Sequence, residues 1–439
     1  MTAGQLPTTR PHPWRSRLGL AAWLGVVLLG WGALLTAQAV PELPVALTPE
    51  TGWQADDRAI AARFAPVFLQ GFVGAERFDY ITAFDFDGDW VGDNNWQNAA
   101  DIRYPLKATV YYAVSETATH YFIHYAVFHP RDYKGGALTG ALLSQAVRSG
   151  AQASERLREV PLANDLVLAH ENDLEGCLVV VRKGPAGLAS AATVFVETLA
   201  HNRYLPYAPR PLVQSDVGFV ALEDERPVLY IEPKGHGIEA YDPLRPLQGA
   251  SPEAAPADDA RAAAPARTGF FGRIAGLVTG VDRARRRVNG EGAEFLRRYH
   301  YTGEADDPDQ VTGDIGYDLA PIVSTLWPRA RAGVNETYGD VTDFGLRTLL
   351  VPGHGEGPIA LPLAIGPIGA SFRGVEGAVN MARPPWGWFD MTERDRPAGE
   401  WFLDPASVAA RHAPELGADP PVYVHQPLFG VIRLAALHP

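Results

Sequence analysis

His170-Glu171-Asn172-Asp173-Leu174-Glu175-Gly176 is followed, after Cys177, by the apolar run Leu178-Val179-Val180-Val181. The valine-rich run reads as a buried strand, and its alternation sets where the acidic residues before it point. Asp173 and Glu175 are two apart, so on a strand both side chains leave the same face. His170 stands three residues upstream, where a bend would swing its ring back over that pair. One imidazole and two carboxylates converging at the mouth of a strand make a divalent-cation site. The competing reading is a cluster of surface ions.

The composition around this stretch is globular and rich in strand and turn formers. It has 46% hydrophobic and 20% charged residues, with 44 Gly, 37 Pro and 10 Trp among 439 residues. Lys107–Val114 and Thr119–Phe128 read as the strands of a hairpin turning at Ser115–Ala118, the second strand dense in aromatic and β-branched residues. Further strands are expected near 174–182, 191–198 and 227–232. A short helix over Ala55–Phe64 leads into Phe64–Leu69. A longer one over Leu138–Leu157 has Leu142, Leu143, Ala146 and Val147 on one side. The fold class that follows is mainly β: an antiparallel β-sandwich of two packed sheets with peripheral helices, behind an N-terminal membrane or export helix.

That leading segment is residues 1–40. Arg10, Arg15 and Arg17 precede Leu18–Val40, which carries no charge. Its length approaches a membrane span, while Ala37-Gln38-Ala39 offers a small-x-small cleavage signal. A signal anchor and a cleaved signal peptide both put the body outside the cytoplasm, membrane-anchored or secreted. Residues 41–55 read as a Pro-rich linker and 56–246 as the metal-binding β core. Residues 247–268 are a low-complexity Ala/Pro/Asp insertion, and 269–439 continue the same β-rich body. Within the last segment, the apolar run from Phe270 ends in Arg283-Ala284-Arg285-Arg286-Arg287. It reads as a packed helix or as a segment resting on an anionic membrane surface. The net charge of −13 argues against nucleic acid as partner. Cys177 is the single cysteine, which excludes an intrachain disulfide and cysteine-rich zinc sites.

Oxygen-preferring cations take about six or more ligands, so the heptad needs help. Asp132, in Phe128-His129-Pro130-Arg131-Asp132 just past the aromatic strand, is the best further candidate. An aromatic strand with Phe-x-Pro-basic-Asp, followed by His-x-x-Asp-x-Glu-Gly and a valine-rich strand, resembles the necrosis- and ethylene-inducing-peptide-like proteins. It also resembles the related vacuolar-protein-sorting-associated family. The resemblance spans Phe64 to Tyr241. It implies a cation held by Asp132, His170, Asp173 and Glu175, and a sphingolipid glycan as the recognised partner. The toxins' signature Gly-His-Arg-His-Asp-Trp-Glu is altered here at Ala169, Asn172 and Leu174, and their cysteine pair is missing. This places the chain nearer the broad family than the plant toxins.

Two more constellations carry candidate residues. Asp85, Asp87 and Asp89, in Phe84-Asp85-Phe86-Asp87-Gly88-Asp89-Trp90, form a second acidic loop that is either another calcium site or a turn with Asx hydrogen bonds. His236, in Lys234-Gly235-His236-Gly237 after a strand, is a general base, a fifth ligand, a substrate contact or a turn residue without a role. His124 and His129 on the aromatic strand read as hydrogen-bonded core residues. No nucleophile elbow, P-loop, His-Glu-x-x-His or dinucleotide fingerprint is present. Mostly oxygen ligands with one imidazole favour calcium, magnesium or manganese. The expected function is an exported cation-binding protein recognising a sugar or lipid headgroup through a partly open metal site. A metal-dependent hydrolase of phosphoesters or glycosides and a structural envelope protein are the alternatives.

Overall fold

The computed structural model describes residues 52–73, 76–132, 170–210, 216–245, 247, 294–331, 336–353, 357–374, 382–391, 398–413 and 420–429. The expected export segment, the helix over Leu138–Leu157, all but residue 247 of the low-complexity insertion, and the apolar-basic run after Phe270 lie outside them. Among the described residues no helix is long and apolar enough to cross a membrane.

Helix α1 (Gly52–Arg63) leads into β1 (Val67–Phe72). The long strands follow: β2 (Thr109–Thr117), β3 (His120–Asp132), β4 (His170–Gly184) and β5 (Gly187–Leu199). Shorter ones continue as β6 (Tyr204–Ala208), β7 (Gly218–Phe219), β8 (Leu222–Glu223), β9 (Arg226–Ile231) and β10 (Ile238–Ala240). The chain resumes with β11 (Phe295–Tyr301) and β12 (Ile315–Pro321). It then adds β13 (Val341–Asp343), β14 (Leu346–Val351), β15 (Ile359–Ala364), β16 (Pro367–Gly369) and β17 (Tyr423–His425). The hairpin turn lies at Ala118-Thr119, later than expected, because Ser115 and Glu116 keep pairing with Phe122 and Tyr121 across β2 and β3.

The expected antiparallel sandwich is not what forms. Among the described residues, thirteen strands make one mixed sheet, ordered β10-β9-β1-β11-β12-β2-β3-β4-β5-β6-β7 with β17 beside β2 and β8 beside β9. Four pairings are parallel: β1 with β9, β11 with β12, β12 with β2, and β6 with β7. The sheet curls so that β9 and β10 come back against β4 and β5. A sheet that curls around its own inner face buries that face without a second layer. The inner core is Phe68, Val110, Tyr112, Ile123, Tyr125, Val127, Cys177, Val179, Leu229, Ile231, Tyr299 and Tyr317, drawn from strands far apart in sequence.

The outer face of β3–β5 is covered by tryptophans from the C-terminal third. Gly176 makes this possible: a Cβ there would lie 2.5 Å from Trp388 Cη2 and 2.3 Å from the Tyr125 carbonyl oxygen. Trp388 Nε1 donates to the Leu174 carbonyl at 3.0 Å, so the segment braces β4 from behind. Under it, His124 packs against Trp388, Trp401 and Phe402, and neither ring nitrogen has a hydrogen-bond partner. An unmet buried donor costs about 1–3 kcal/mol. Stripping one buried Trp to alanine costs about 3–5 kcal/mol, so packing wins and the imidazole is tolerated.

Burial pushes the His124 imidazole down to about 3. Above about 6.5, its value in an unfolded chain, both states are neutral and pH has no effect through this group. Below that, the unfolded chain takes up a proton and the folded one does not, so stability falls until about pH 3. In urea unfolding, the wild type should lose up to about 1.4 kcal/mol per pH unit through this residue. His124→Leu should abolish that part of the slope; equal slopes in both proteins would refute it.

Candidate metal centre

One unbroken register joins β3 to β4. It pairs His129 with Asp173, Val127 with Glu175, Arg131 with Glu171, and Asp132 with His170. Residues directly opposite share a face, so His129, Asp173 and Glu175 point to the same side as Tyr125 and Cys177 of the core. His129, Arg131, Asp132, Glu171, Asp173 and Glu175 are all buried, and His170 is partly so.

Asn172 breaks the alternation. Its φ of +64° is left-handed, so β4 bends between His170 and Asp173. The side chain is fully buried and saturated. Nδ2 donates to the carbonyls of Gly92 and Arg373, and Oδ1 accepts from Asn95 Nδ2 at 2.6 Å. Strand β4 is thereby tied to the 92–95 loop and to the C-terminal third. Left-handed non-glycine residues gather around this end: His201, Asn202, Lys234 and His236 join Asn172. The two others described, Asp224 and Glu225, make the two-residue turn between β8 and β9. Such conformations cost about 1–3 kcal/mol each and persist where the surroundings enforce them.

His236 is brought in by the loop between β9 and β10. Its Nδ1 lies 2.9 Å from Asp173 Oδ2 and its Nε2 3.2 Å from Asp79 Oδ1, with the ring fully buried. Asp79 ends the 3₁₀ turn Glu76–Asp79 and also accepts from the Lys234 backbone N–H at 2.9 Å. The His129 ring stacks on His236 at 3.7 Å, 4° from parallel. His129 Nε2 meets Gln70 Oε1 of β1 at 3.1 Å, and its Nδ1 has no partner.

The charges follow from this geometry. Burial works against the His236 cation, but hydrogen bonds and charge from Asp173 and Asp79 outweigh it and hold the imidazole up at about 9. Burial likewise opposes the Asp173 carboxylate. The hydrogen bond and charge of His236, aided by His170 and His201, hold it below the ordinary range. For Asp79 burial prevails and raises it, while burial and the charge of His236 keep His129 neutral.

Among the described residues, His129, Asp173 and His236 are the group whose ligand atoms all lie within 4.8 Å of one another, and they could hold a metal ion. Asp132 and His170 come together as a pair, Oδ2 to Nε2 at 3.6 Å, with Asp132 Oδ1 buried and without a hydrogen bond. Glu175 is buried one alternation beyond Asp173. The structure thus unites Asp173 with His236, and Asp132 with His170, but does not gather Asp132, His170, Asp173 and Glu175 within that limit. In the acidic loop, Asp87 accepts from Asn98 Nδ2 and the Asp89 N–H, and Asp89 from the Val91 N–H, the pattern of Asx turns. Sequence reasoning missed His129 and Asp79. The signal for His129 was its place opposite Asp173, hidden behind a connection of unknown register; Asp79 carried none.

No protein-family model matches this chain, and no curated protein matches it. The solved structures it is similar to are of the necrosis- and ethylene-inducing toxin fold. One is described as a toxin fold for microbial attack and plant defence: 19% identity, TM-score 0.24, covering 46% of this chain and 74% of that one. Another is NLPPya in complex with mannosamine, at 18% identity and TM-score 0.24, covering 45% and 73%. A third is Necrosis and Ethylene inducing Protein 2 from the causal agent of cocoa's witches' broom disease, at 14% and 0.25, covering 45% and 72%. None of these matches points to a vacuolar-sorting protein. At such scores they assign this chain neither family nor function.

The bend at Asn172 yields a direct test. Asn172→Gly keeps the left-handed conformation and loses only the side-chain bonds, whereas Asn172→Leu loses both. Leu should destabilise the protein by about 1–3 kcal/mol more than Gly, read from denaturant midpoints. Equal midpoints would contradict a strained bend.

Proposed function

We propose that this protein binds a divalent cation at Asp173, His236 and His129, and uses the bound ion to recognise hydroxyl or phosphate oxygens of a sugar or lipid headgroup. The observation that carries the reading is the three-residue group itself, fully assembled inside the curled sheet. Two buried, unpartnered atoms beside or within it, His129 Nδ1 and Asp132 Oδ1, fit an ion's neighbourhood. Carboxylates are expensive to bury, and Asp79, Asp132, Asp173 and Glu175 are all buried at one end of β3 and β4. An ion adds positive charge there and offers an exchangeable position for ligand oxygens.

Recognition is favoured over hydrolysis by the state of His236. The residue best suited to be a general base has both nitrogens engaged by carboxylates; with an ion in place of its Nδ1 proton and Asp79 on Nε2, it keeps no lone pair for a substrate's proton. Export of the body, which rests on the uncharged run Leu18–Val40, belongs to the same proposal.

The test is metal analysis of the full chain beside Asp173→Asn. The wild type should retain close to one ion after desalting and the variant should lose it; equal content in both would sink the site. Glucosamine and mannosamine then serve as probes by calorimetry. Binding to the loaded wild type that disappears on chelation supports recognition. Turnover of phosphoester or glycoside substrates, lost with Asp173→Asn, would replace it with the hydrolase reading.

A further inference from the structure

The hydrogen bonds behind the two stacked imidazoles carry information about the ion. Gln70 Nε2 points to two backbone carbonyls, Gly71 O at 3.0 Å and Glu232 O at 3.4 Å. Carbonyl oxygens only accept, so the amide nitrogen must face them and Oε1 must face His129. An amide oxygen also only accepts, so His129 Nε2 carries the hydrogen in that 3.1 Å contact. The neutral ring therefore keeps its lone pair on Nδ1, which is fully buried and meets no donor. The opposite tautomer would set a lone pair against the Gln70 oxygen and strand an N–H in the core.

His236 shares the backed Nε2 but not the free lone pair: carboxylate oxygens face both of its nitrogens, so an ion ligated at Nδ1 takes the place of the proton there and lies between that nitrogen and Asp173. Its Nε2 faces Asp79 and its Nδ1 faces Asp173, the cross-strand partner of His129. Each ring is thus backed at Nε2 by an oxygen acceptor, the outer-sphere support that orients metal-bound histidines and raises their basicity. A hard ion such as calcium or magnesium would use carboxylates and water and leave both imidazoles idle. Two imidazole nitrogens with a carboxylate suit a first-row ion of the zinc type.

We infer that His129 Nδ1 is a ligand of the cation, and that the centre is thereby built for an imidazole-preferring transition ion, zinc foremost, in place of calcium or magnesium. This rests on the proposed cation site and refines its chemistry. Imidazole lone pairs lie in the ring planes, and these planes are only 4° apart. Both rings therefore address one ion only if one tilts. His236 is fixed at both edges and His129 at one, so His129 is the ring that moves.

The test is separate titration of the metal-stripped full chain with Zn²⁺ and with Ca²⁺, for wild type, His129→Phe and Gln70→Leu. Zn²⁺ binds most mixed sites more tightly than Ca²⁺, so the informative quantity is how each variant changes the ratio. His129→Phe should weaken Zn²⁺ by about 100-fold and leave Ca²⁺ within about threefold; Gln70→Leu, which frees the tautomer and removes the amide's bonds to the Gly71 and Glu232 carbonyls, should weaken Zn²⁺ by about 10-fold or more. Nitrogen-15 spectra of the wild-type imidazoles provide a readout without any variant. Zn²⁺ should shift His129 Nδ1 from a free lone pair to a bound nitrogen, and Ca²⁺ should not. Zinc affinity indifferent to His129→Phe, or an unmoved Nδ1, overturns this inference while leaving a cation site standing. A wild type that binds neither ion overturns both.

Discussion

Two carboxylates, Asp79 and Asp173, are buried on opposite edges of one imidazole, and the rest of this end of the protein is arranged to make that possible. Left alone in a low-dielectric interior, either carboxylate would cost more than a hydrogen bond returns. With His236 between them, one positive charge serves two negatives, so the cluster stays electron-rich while remaining foldable. The consequence is structural as much as electrostatic. The 3₁₀ turn before β2, the strand pair β3–β4 and the loop after β9 must all converge within a few ångströms, and left-handed residues at Asn172, Lys234 and His236 meet that demand.

The sheet supplies the frame. β3 and β4 alone would present Asp173 and His129 on a flat ribbon open to solvent. The parallel ladders between β12 and β2, and between β1 and β9, draw the ribbon into a curl that seals its inner face. They also deliver Gln70 and the His236 loop to the cluster. From outside, the indole of Trp388 presses on β4 through the space that Gly176 leaves. Strand β4 is thus held on both faces, its outer side by apolar packing and its inner side by hydrogen bonds to charged groups. Rigid support of this kind holds an assembled polar centre in one geometry.

Much of this was legible in the sequence, and the limits are physical. β-Branched and aromatic enrichment in Leu178–Val181 and in Thr119–Phe128 identified β4 and β3, whatever their partner strands are. The period of two of any strand placed Asp173 and Glu175 on one face. It could not choose between a sandwich and a single curled sheet, since both bury one face of each strand. The decisive parallel pairings join residues as far apart as Thr109 and Asp318. His129 looked like an ordinary aromatic-strand histidine because its meaning comes from standing opposite Asp173, and a long connection hid that register. His236 was visible through its flanking glycines, and Asp79 not at all, because nothing in a short 3₁₀ turn announces the loop that will fold onto it.

Crystals grown with zinc and measured across its absorption edge test the central claim most directly. One anomalous peak is expected about 2.0–2.2 Å from a carboxylate oxygen of Asp173 and from imidazole nitrogens of His236 and His129. The His129 ring should have tilted out of its stack. A peak bound by Asp132 and His170 without those three residues, or none anywhere near β4 in zinc-saturated crystals, would contradict it.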